Sequence, residues 1–231
     1  MKTLVIIPAY NEELNICNVV RDIKENAEYV DYIIVNDGST DGTLEIIKKE
    51  NFNHIDCIQN LGLFGAIQLG LKYALENDYD IAIQFDGDGQ HKAIHLKDLI
   101  NEIENGSDIA IGSRFLKKKK PFTLRMIGSR LISFAILLTT FKKITDPTSG
   151  MRAYNRKTII EYASDINNPP EPDTLVYMLL KNKKIKEVQV DMDERQFGET
   201  IFNLKSSIKY MTRMFVSIIF IQPFRKRKGV K

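Results

Sequence analysis

The sequence predicts an α/β protein: a mainly parallel sheet flanked by helices and followed by C-terminal amphipathic helices. Three observations predict it. Short apolar runs at residues 4–7, 32–35, 81–85 and 108–112 alternate with longer stretches of helical periodicity. Two of those runs stop at acids among turn-formers, Asn36-Asp37-Gly38 and Asp86-Gly87-Asp88, at the strand end where open α/β sheets bind ligands. Finally, 231 residues with 43% apolar and 27% charged content are enough for one large core.

Residues 4–7 read as a central strand ended by Pro8. Asn11 is a candidate cap for the helix whose apolar stripe is Leu14, Ile16, Val19, Val20 and Ile23. After residues 32–35, Asp37 could hold a ribose hydroxyl or a base edge, or serve only as a capping turn. Residues 55–58 form a weaker third strand. Asn60-Leu61-Gly62-Leu63-Phe64-Gly65-Ala66 then turns into a helix, where Gly62 and Gly65 could admit a phosphate or nucleoside to its N-terminus. No G-x-G-x-x-G or P-loop pattern occurs.

Residues 81–85 suit a buried parallel strand. Asp86 and Asp88 at its end sit together comfortably only around a cation, and a hard divalent ion carrying phosphate oxygens is the natural guest. For a lone D-x-D the alternative is a polar surface turn. Residues 108–112 end in Ser113-Arg114. Residues 124–143 are apolar but interrupted by Arg125 and Arg130, too short to span a membrane. A polar loop, residues 146–152, leads to an expected edge strand. Residues 167–173 form a proline-rich loop before a helix at 174–181, and 185–192 alternate as a half-exposed strand. Residues 204–224 are helical, apolar on one face, and end in Arg225-Lys226-Arg227-Lys228. The expected division is a catalytic domain over 1–200 and an extension over 201–231.

Net charge is only +3, so nothing in bulk calls for nucleic acid. Cys17 and Cys57 give no disulfide framework and are expected as reduced, buried thiols. The first apolar run is too short and too soon acidic for a signal peptide. His91 and His95 lack a third ligand for zinc and are expected to face solvent. Asp86-x-Asp88-x-Gln90 fails as a calcium loop, because His91 replaces the glycine and Lys97 the terminal glutamate. A nucleotidyltransferase would be expected to carry a Gly-rich, basic N-terminal loop, which Pro8-Ala9-Tyr10-Asn11-Glu12 is not.

Those segments, with Asn60-Leu61-Gly62, Gly112-Ser113-Arg114 and Asp146-Pro147-Thr148-Ser149-Gly150, occur in an order that resembles family 2 glycosyltransferases. They look most like the branch of dolichyl-phosphate mannose synthase and bacterial polyprenyl-phosphate sugar synthases. The resemblance runs from residue 3 to about residue 200, and the ordered set is far more specific than any one motif. It implies an inverting transferase with a glycosyltransferase A-type fold and Mg2+ or Mn2+. By the same resemblance Pro8, Tyr10, Glu12 and Asp37, with Ala9 in the same motif, look like nucleoside contacts. Asp86, Asp88 and Gln90 look like the metal group, and Arg114 and Arg195 like phosphate contacts.

The chemistry fits those roles. Negative charge grows on the departing nucleoside diphosphate, where a metal at Asp88 and Gln90, with Asp86 nearby, would stabilise it. Arg114 or Arg195 would add bidentate contacts. A phosphate acceptor needs no strong base, whereas a sugar hydroxyl needs a carboxylate in reach. Asp146, Glu171 and Asp173 are the candidates, although Glu171 and Asp173 could instead cap the next helix. Glu171-Pro172-Asp173 departs from the aromatic-rich mannose-synthase pattern, so the expected donor is UDP-glucose or UDP-N-acetylglucosamine.

The expected acceptor is a polyprenyl phosphate of cell-envelope or glycoconjugate synthesis. The protein is expected to lie on the cytoplasmic membrane face, because Lys117-Lys118-Lys119-Lys120 and the terminal basic cluster each adjoin an apolar stretch. Each such charge contributes on the order of 1 kcal/mol at an anionic surface. The alternatives are a saccharide hydroxyl acceptor, a non-catalytic nucleotide-sugar-binding protein, and C-terminal helices that form a homo-oligomer interface.

Overall fold

Seven consecutive buried positions, Thr3–Ala9, make β1 a central strand covered on both faces. In the computed structural model, which describes residues 1–165, 169–193 and 204–225, β1 pairs in parallel with β2 (Asp31–Asn36) and β4 (Ile81–Gln84). β3 (His54–Asp56) lies outside β2. β5 (Ile109–Ser113), β6 (Arg152–Asn155) and β7 (Ile185–Gln189) complete the order β3-β2-β1-β4-β6-β5-β7. Only β6 runs antiparallel, to both β4 and β5. The predicted α/β sheet is therefore present.

The helices divide between the two faces. Ile16, Val19, Val20 and Ile23 of α1 (Ile16–Asn26), Ile47 of α2 (Thr43–Lys49) and the buried stripe of α4 (Leu96–Glu104) share one apolar cluster. The other cluster joins α3 (Leu63–Glu76), α5 (Leu124–Thr140), α6 (Arg156–Ser164), α7 (Thr174–Leu180) and α8 (Leu204–Val216). α8 runs on into a π-helical turn, Ser217–Ile221, and a 3-10 turn, Gln222–Phe224. Gly70 of α3 lets that helix close on β1, since a Cβ there would lie 2.3 Å from Ile6 Cγ2.

Several expectations are corrected. Residues 152–155 form an interior strand, not an edge. Arg152, the last residue of the expected polar loop, is 2% exposed, its guanidinium satisfied by three carbonyls. Asn11 does not cap α1; its Oδ1 accepts from the Thr40 amide, and the helix begins only at Ile16, leaving Leu14 exposed. The third strand stops at Asp56, so Ile58 stands free of the sheet in solvent. Both cysteines are free thiols, but half-buried.

α5 and α8 keep much of their apolar surface outside. On α5, Ile132, Ala135 and Ile136 are buried, while Leu131, Phe134 and Leu138 are each more than half exposed. From α8 onward Met214 and Ile218 enter the core, and Ile208, Phe220, Ile221 and Phe224 do not. Among the described residues no helix is long and apolar enough to cross a membrane.

Candidate active site

The carboxyl ends of β1, β2 and β4 lie side by side, so the loops that leave them share one edge. Pro8 and Ala9 are buried at the end of β1, and Tyr10 follows, half-buried. The Asp37 amide donates to Ala9 O at 2.8 Å, and Asp37 Oδ1 accepts from Leu61 N at 2.6 Å. Glu12 is buried; its amide donates to Thr43 Oγ1, and its Oε2 accepts from Asn15 Nδ2. Pro8, Ala9, Tyr10, Glu12 and Asp37 are thus gathered in one place. Gly65, in the first turn of α3, has its steric reason within the chain: a Cβ there would meet Leu61 Cβ at 2.8 Å.

The acid loop is folded against the same edge. A Cβ on Gly87 would lie 2.8 Å from Pro8 O, and Gly89 has φ +76°, a left-handed turn that glycine adopts without strain. Asp88 Oδ1 accepts from Gln90 N at 3.1 Å, and Gln90 Nε2 donates to Asp193 O at 3.2 Å. Asp86 Oδ1 is buried with no hydrogen-bond partner among the described residues. Gly150 is packed directly on that carboxylate, leaving 2.2 Å between its missing Cβ and Asp86 Oδ2.

His91 does not face solvent. It is 5% exposed, its Nδ1 accepts from Asp86 N at 3.0 Å, and its ring meets Phe85 edge-on. His95 Nε2 accepts from Asp191 N. His91 therefore braces the acid loop, and His95 holds the segment that follows β7.

Past β5 the site changes character. Arg114 grips Asp146 at two points, Nε–Oδ2 2.7 Å and Nη2–Oδ1 2.9 Å. Asp146 is fully buried, and its amide donates to Glu187 Oε1 at 2.7 Å. Lys120 Nζ donates to Ser129 Oγ at 2.9 Å, and Ser129 Oγ meets Thr148 Oγ1 at 3.3 Å. Burial pushes the Lys120 ammonium below the ordinary lysine value; Asp146 opposes that, while Arg114 and Arg130 add to it. Arg130 Nη2 donates to Lys120 O, but its Nη1 is buried with no partner. Three cations, Arg114, Lys120 and Arg130, thus stand together at the start of α5.

Glu171 and Asp173 lie at the mouth of α7. The Arg213 Nη2 of α8 sits 2.9 Å from each Glu171 carboxylate oxygen. Asp173 Oδ2 accepts from Ser217 Oγ at 2.5 Å and Gln222 Nε2 at 3.0 Å. Asp173 occupies the cap position of α7 without a side-chain capping bond. Burial pushes the Glu171 carboxyl up; Arg213 pulls it down, and Asp173 pushes it up again. Arg195 lies outside the described residues.

Sequence reasoning missed four residues. Glu187 and Arg213 make pairings that cross about forty residues of chain, which spacing does not reveal, and Arg152 bonds backbone carbonyls, which leave no mark in the residue types. Lys120 was legible only as one lysine of four. The exposures of its neighbours Lys117 and Lys119 show how ordinary the others are.

The glycosyl transferase family 2 profile matches residues 4–163. An uncharacterized protein of Methanocaldococcus jannaschii is 34% identical over 227 residues, covering 94% of this chain and 92% of the relative. The UDP-N-acetylglucosamine–dolichyl-phosphate N-acetylglucosaminyltransferase of Methanococcus voltae is 38% identical over 67% of this chain and 69% of its own length. The dolichol-phosphate mannosyltransferase of Pyrococcus furiosus is 33% identical over 93% of this chain and 63% of its own. Among solved structures, glucosyl-3-phosphoglycerate synthase from Mycobacterium tuberculosis with Mn2+, UDP-glucose and phosphoglyceric acid superposes with TM-score 0.69 at 16% identity. That match covers 96% of this chain and 79% of the synthase. This likeness establishes the shared glycosyltransferase A-type fold.

Proposed function

The chain belongs to glycosyl transferase family 2, and from that premise we propose that it moves a sugar from a nucleotide sugar to a polyprenyl phosphate. The observation that carries this reading is the cation group at the start of α5. Arg130 Nη1 is a buried donor without a partner, beside the half-buried Lys120. An unmade charged hydrogen bond is costly, so the group calls for an anion. It lies where the exposed apolar face of α5 begins, which suits a phosphate on a lipid tail. Relatives from Methanococcus voltae and Pyrococcus furiosus carry dolichyl-phosphate in their names.

A phosphate acceptor also fits the carboxylates. Asp146 has both oxygens engaged by Arg114, and an anionic phosphate needs no strong base. Donor binding falls to the β1–β2 edge, with Pro8, Ala9, Tyr10, Glu12, Asp37 and Gly65 around the nucleoside and Arg195 a further phosphate contact. We favour UDP-glucose or UDP-N-acetylglucosamine as donor.

Mg2+ or Mn2+ fits the residues present. Asp86 offers a buried oxygen that nothing else satisfies, and Asp88 and Gln90 share its turn. No group of three or more acids, histidines or cysteines that could hold an ion exists among the described residues. That matches a magnesium-type site, which takes one or two carboxylates and completes its shell with phosphate oxygens and water. The ion would supply charge stabilisation at the leaving diphosphate.

On this reading residues 1–200 form the transferase and 201–231 its membrane-facing extension, lying on the cytoplasmic surface through the outer faces of α5 and α8. The test is sugar transfer by the purified protein with polyprenyl phosphate in anionic vesicles, across a panel of nucleotide sugars and with metal present or chelated. Lipid-linked product that requires metal is expected. Transfer to a water-soluble saccharide alone, with no flotation on vesicles, overturns it.

A further inference from the structure

α8 keeps Ile208, Phe215 and Val216 exposed. From its exposed side Arg213 reaches to Glu171, and the π-helical and 3-10 turns that follow deliver Ser217 and Gln222 to Asp173. Glu171 is 8% exposed and Asp173 7%. Two acids this close and this buried disfavour each other's charge.

The loop that carries them is tied to the metal edge by one side chain. Arg152 donates to Pro170 O at 3.0 Å, to Ser149 O at 3.0 Å and to Pro147 O at 2.6 Å. Ser149 precedes Gly150, the residue packed on Asp86. Through that buried guanidinium, the loop that carries Glu171 is tied to the segment that packs on Asp86.

We propose that Arg213 is a positioning residue for Glu171: by bonding both of its carboxylate oxygens it keeps that group in place, so that α8 forms part of the sugar site. The proposal rests on the transferase reading given above. An ionised carboxylate is purely a hydrogen-bond acceptor, and a protonated one also becomes a donor. Whether Glu171 takes a proton or only a hydrogen bond from a sugar hydroxyl, it works charged. The charged and titratable groups that face it are Arg213 and Tyr210 from α8, Asp173 beside it and Arg152 from β6. Burial and Asp173 drive it toward the neutral form; Arg213 contributes most of what opposes them, with Arg152 behind it. Removing the Arg213 charge therefore raises the pH at which Glu171 ionises.

The experiment compares wild type with Arg213→Gln, Arg213→Lys and Glu171→Gln. Each is checked for native circular dichroism, which Arg213, an exposed side chain, should survive. In Arg213→Gln, kcat/KM for the donor falls about tenfold, and the acidic limb of its pH profile moves to higher pH. Arg213→Lys keeps the wild-type limb, because one ammonium can sit between the two oxygens as Nη2 does. Glu171→Gln loses the limb altogether. The Glu171 carboxyl 13C resonance, assigned by its loss in Glu171→Gln, reads the same coupling without turnover. Equal titration of Glu171 in wild type and Arg213→Gln overturns the proposal, as does an unchanged limb in Glu171→Gln. If wild type transfers no sugar to any acceptor, the transferase reading fails, and the resonance alone still decides whether Arg213 holds Glu171 charged.

Discussion

The two ends of the site hold their charged groups by different means. At the β1–β2 end, carboxylates are held largely by uncharged donors: Asp37 by the Leu61 amide, Glu13 by the Gly42 amide, Asp41 by the Thr43 amide. At the β5–α8 end two are held by cations instead, Asp146 by Arg114 and Glu171 by Arg213, beside Asp173 and Glu187, which keep neutral donors. Amides are fixed to the backbone and insensitive to salt or pH. Guanidinium groups are permanent charges on long side chains, and their exposed members are screened by ions. The first end is a rigid mould, and the second is an electrostatic balance that a new anion can enter.

Three substitutions probe that contrast. The largest effect belongs to Asp88→Asn in the acid turn. It keeps the shape and removes a charge, so turnover is expected to fall at least about a hundredfold, with circular dichroism unchanged. Near-normal metal-dependent nucleotide release would show that the turn is only a turn. Next comes Gly70→Ala, which tests the mould itself. The added methyl has no room beside Ile6, and overpacking costs about 1–3 kcal/mol. A lower unfolding midpoint in urea is expected; an unchanged one would mean that α3 can slide and the β1 end is not rigid. The smallest is Arg130→Gln at the balanced end. Acceptor KM should rise about tenfold, the worth of one charge-assisted hydrogen bond, with donor KM unaltered. Equal changes in both constants would erase the distinction between the ends.

The sequence was most legible where the chain is held by local rules. β1, β2, β4 and β5, the acid turn and the short apolar stretches all follow from runs, periods and turn residues. Two kinds of feature stayed hidden. One is a polar residue made apolar in effect by its partners: Arg152 ends a stretch that reads as a polar loop, but it is buried under three carbonyls. The other is pairing with the backbone or across long separations. His91 reads as a solvent-facing histidine because its partner is a backbone amide, Asp86 N, which leaves no mark in the residue types. Arg213 and Glu171 lie 42 residues apart, and nothing local says that they meet.

The antiparallel β6 also sets an order in time. β4 is an apolar strand whose one flank is covered by β1 and whose other flank waits for residues 152–155. Nearly seventy residues of chain, those from 85 to 151, must be made before that flank closes. β5 cannot substitute, because it reaches the sheet only through β6. A half-sheet of β3, β2, β1 and β4 formed without β6 would leave that apolar edge unpaired, the arrangement that invites chain-to-chain pairing. The segment that brings Gly150 onto Asp86 thus leads directly into the strand that closes the edge.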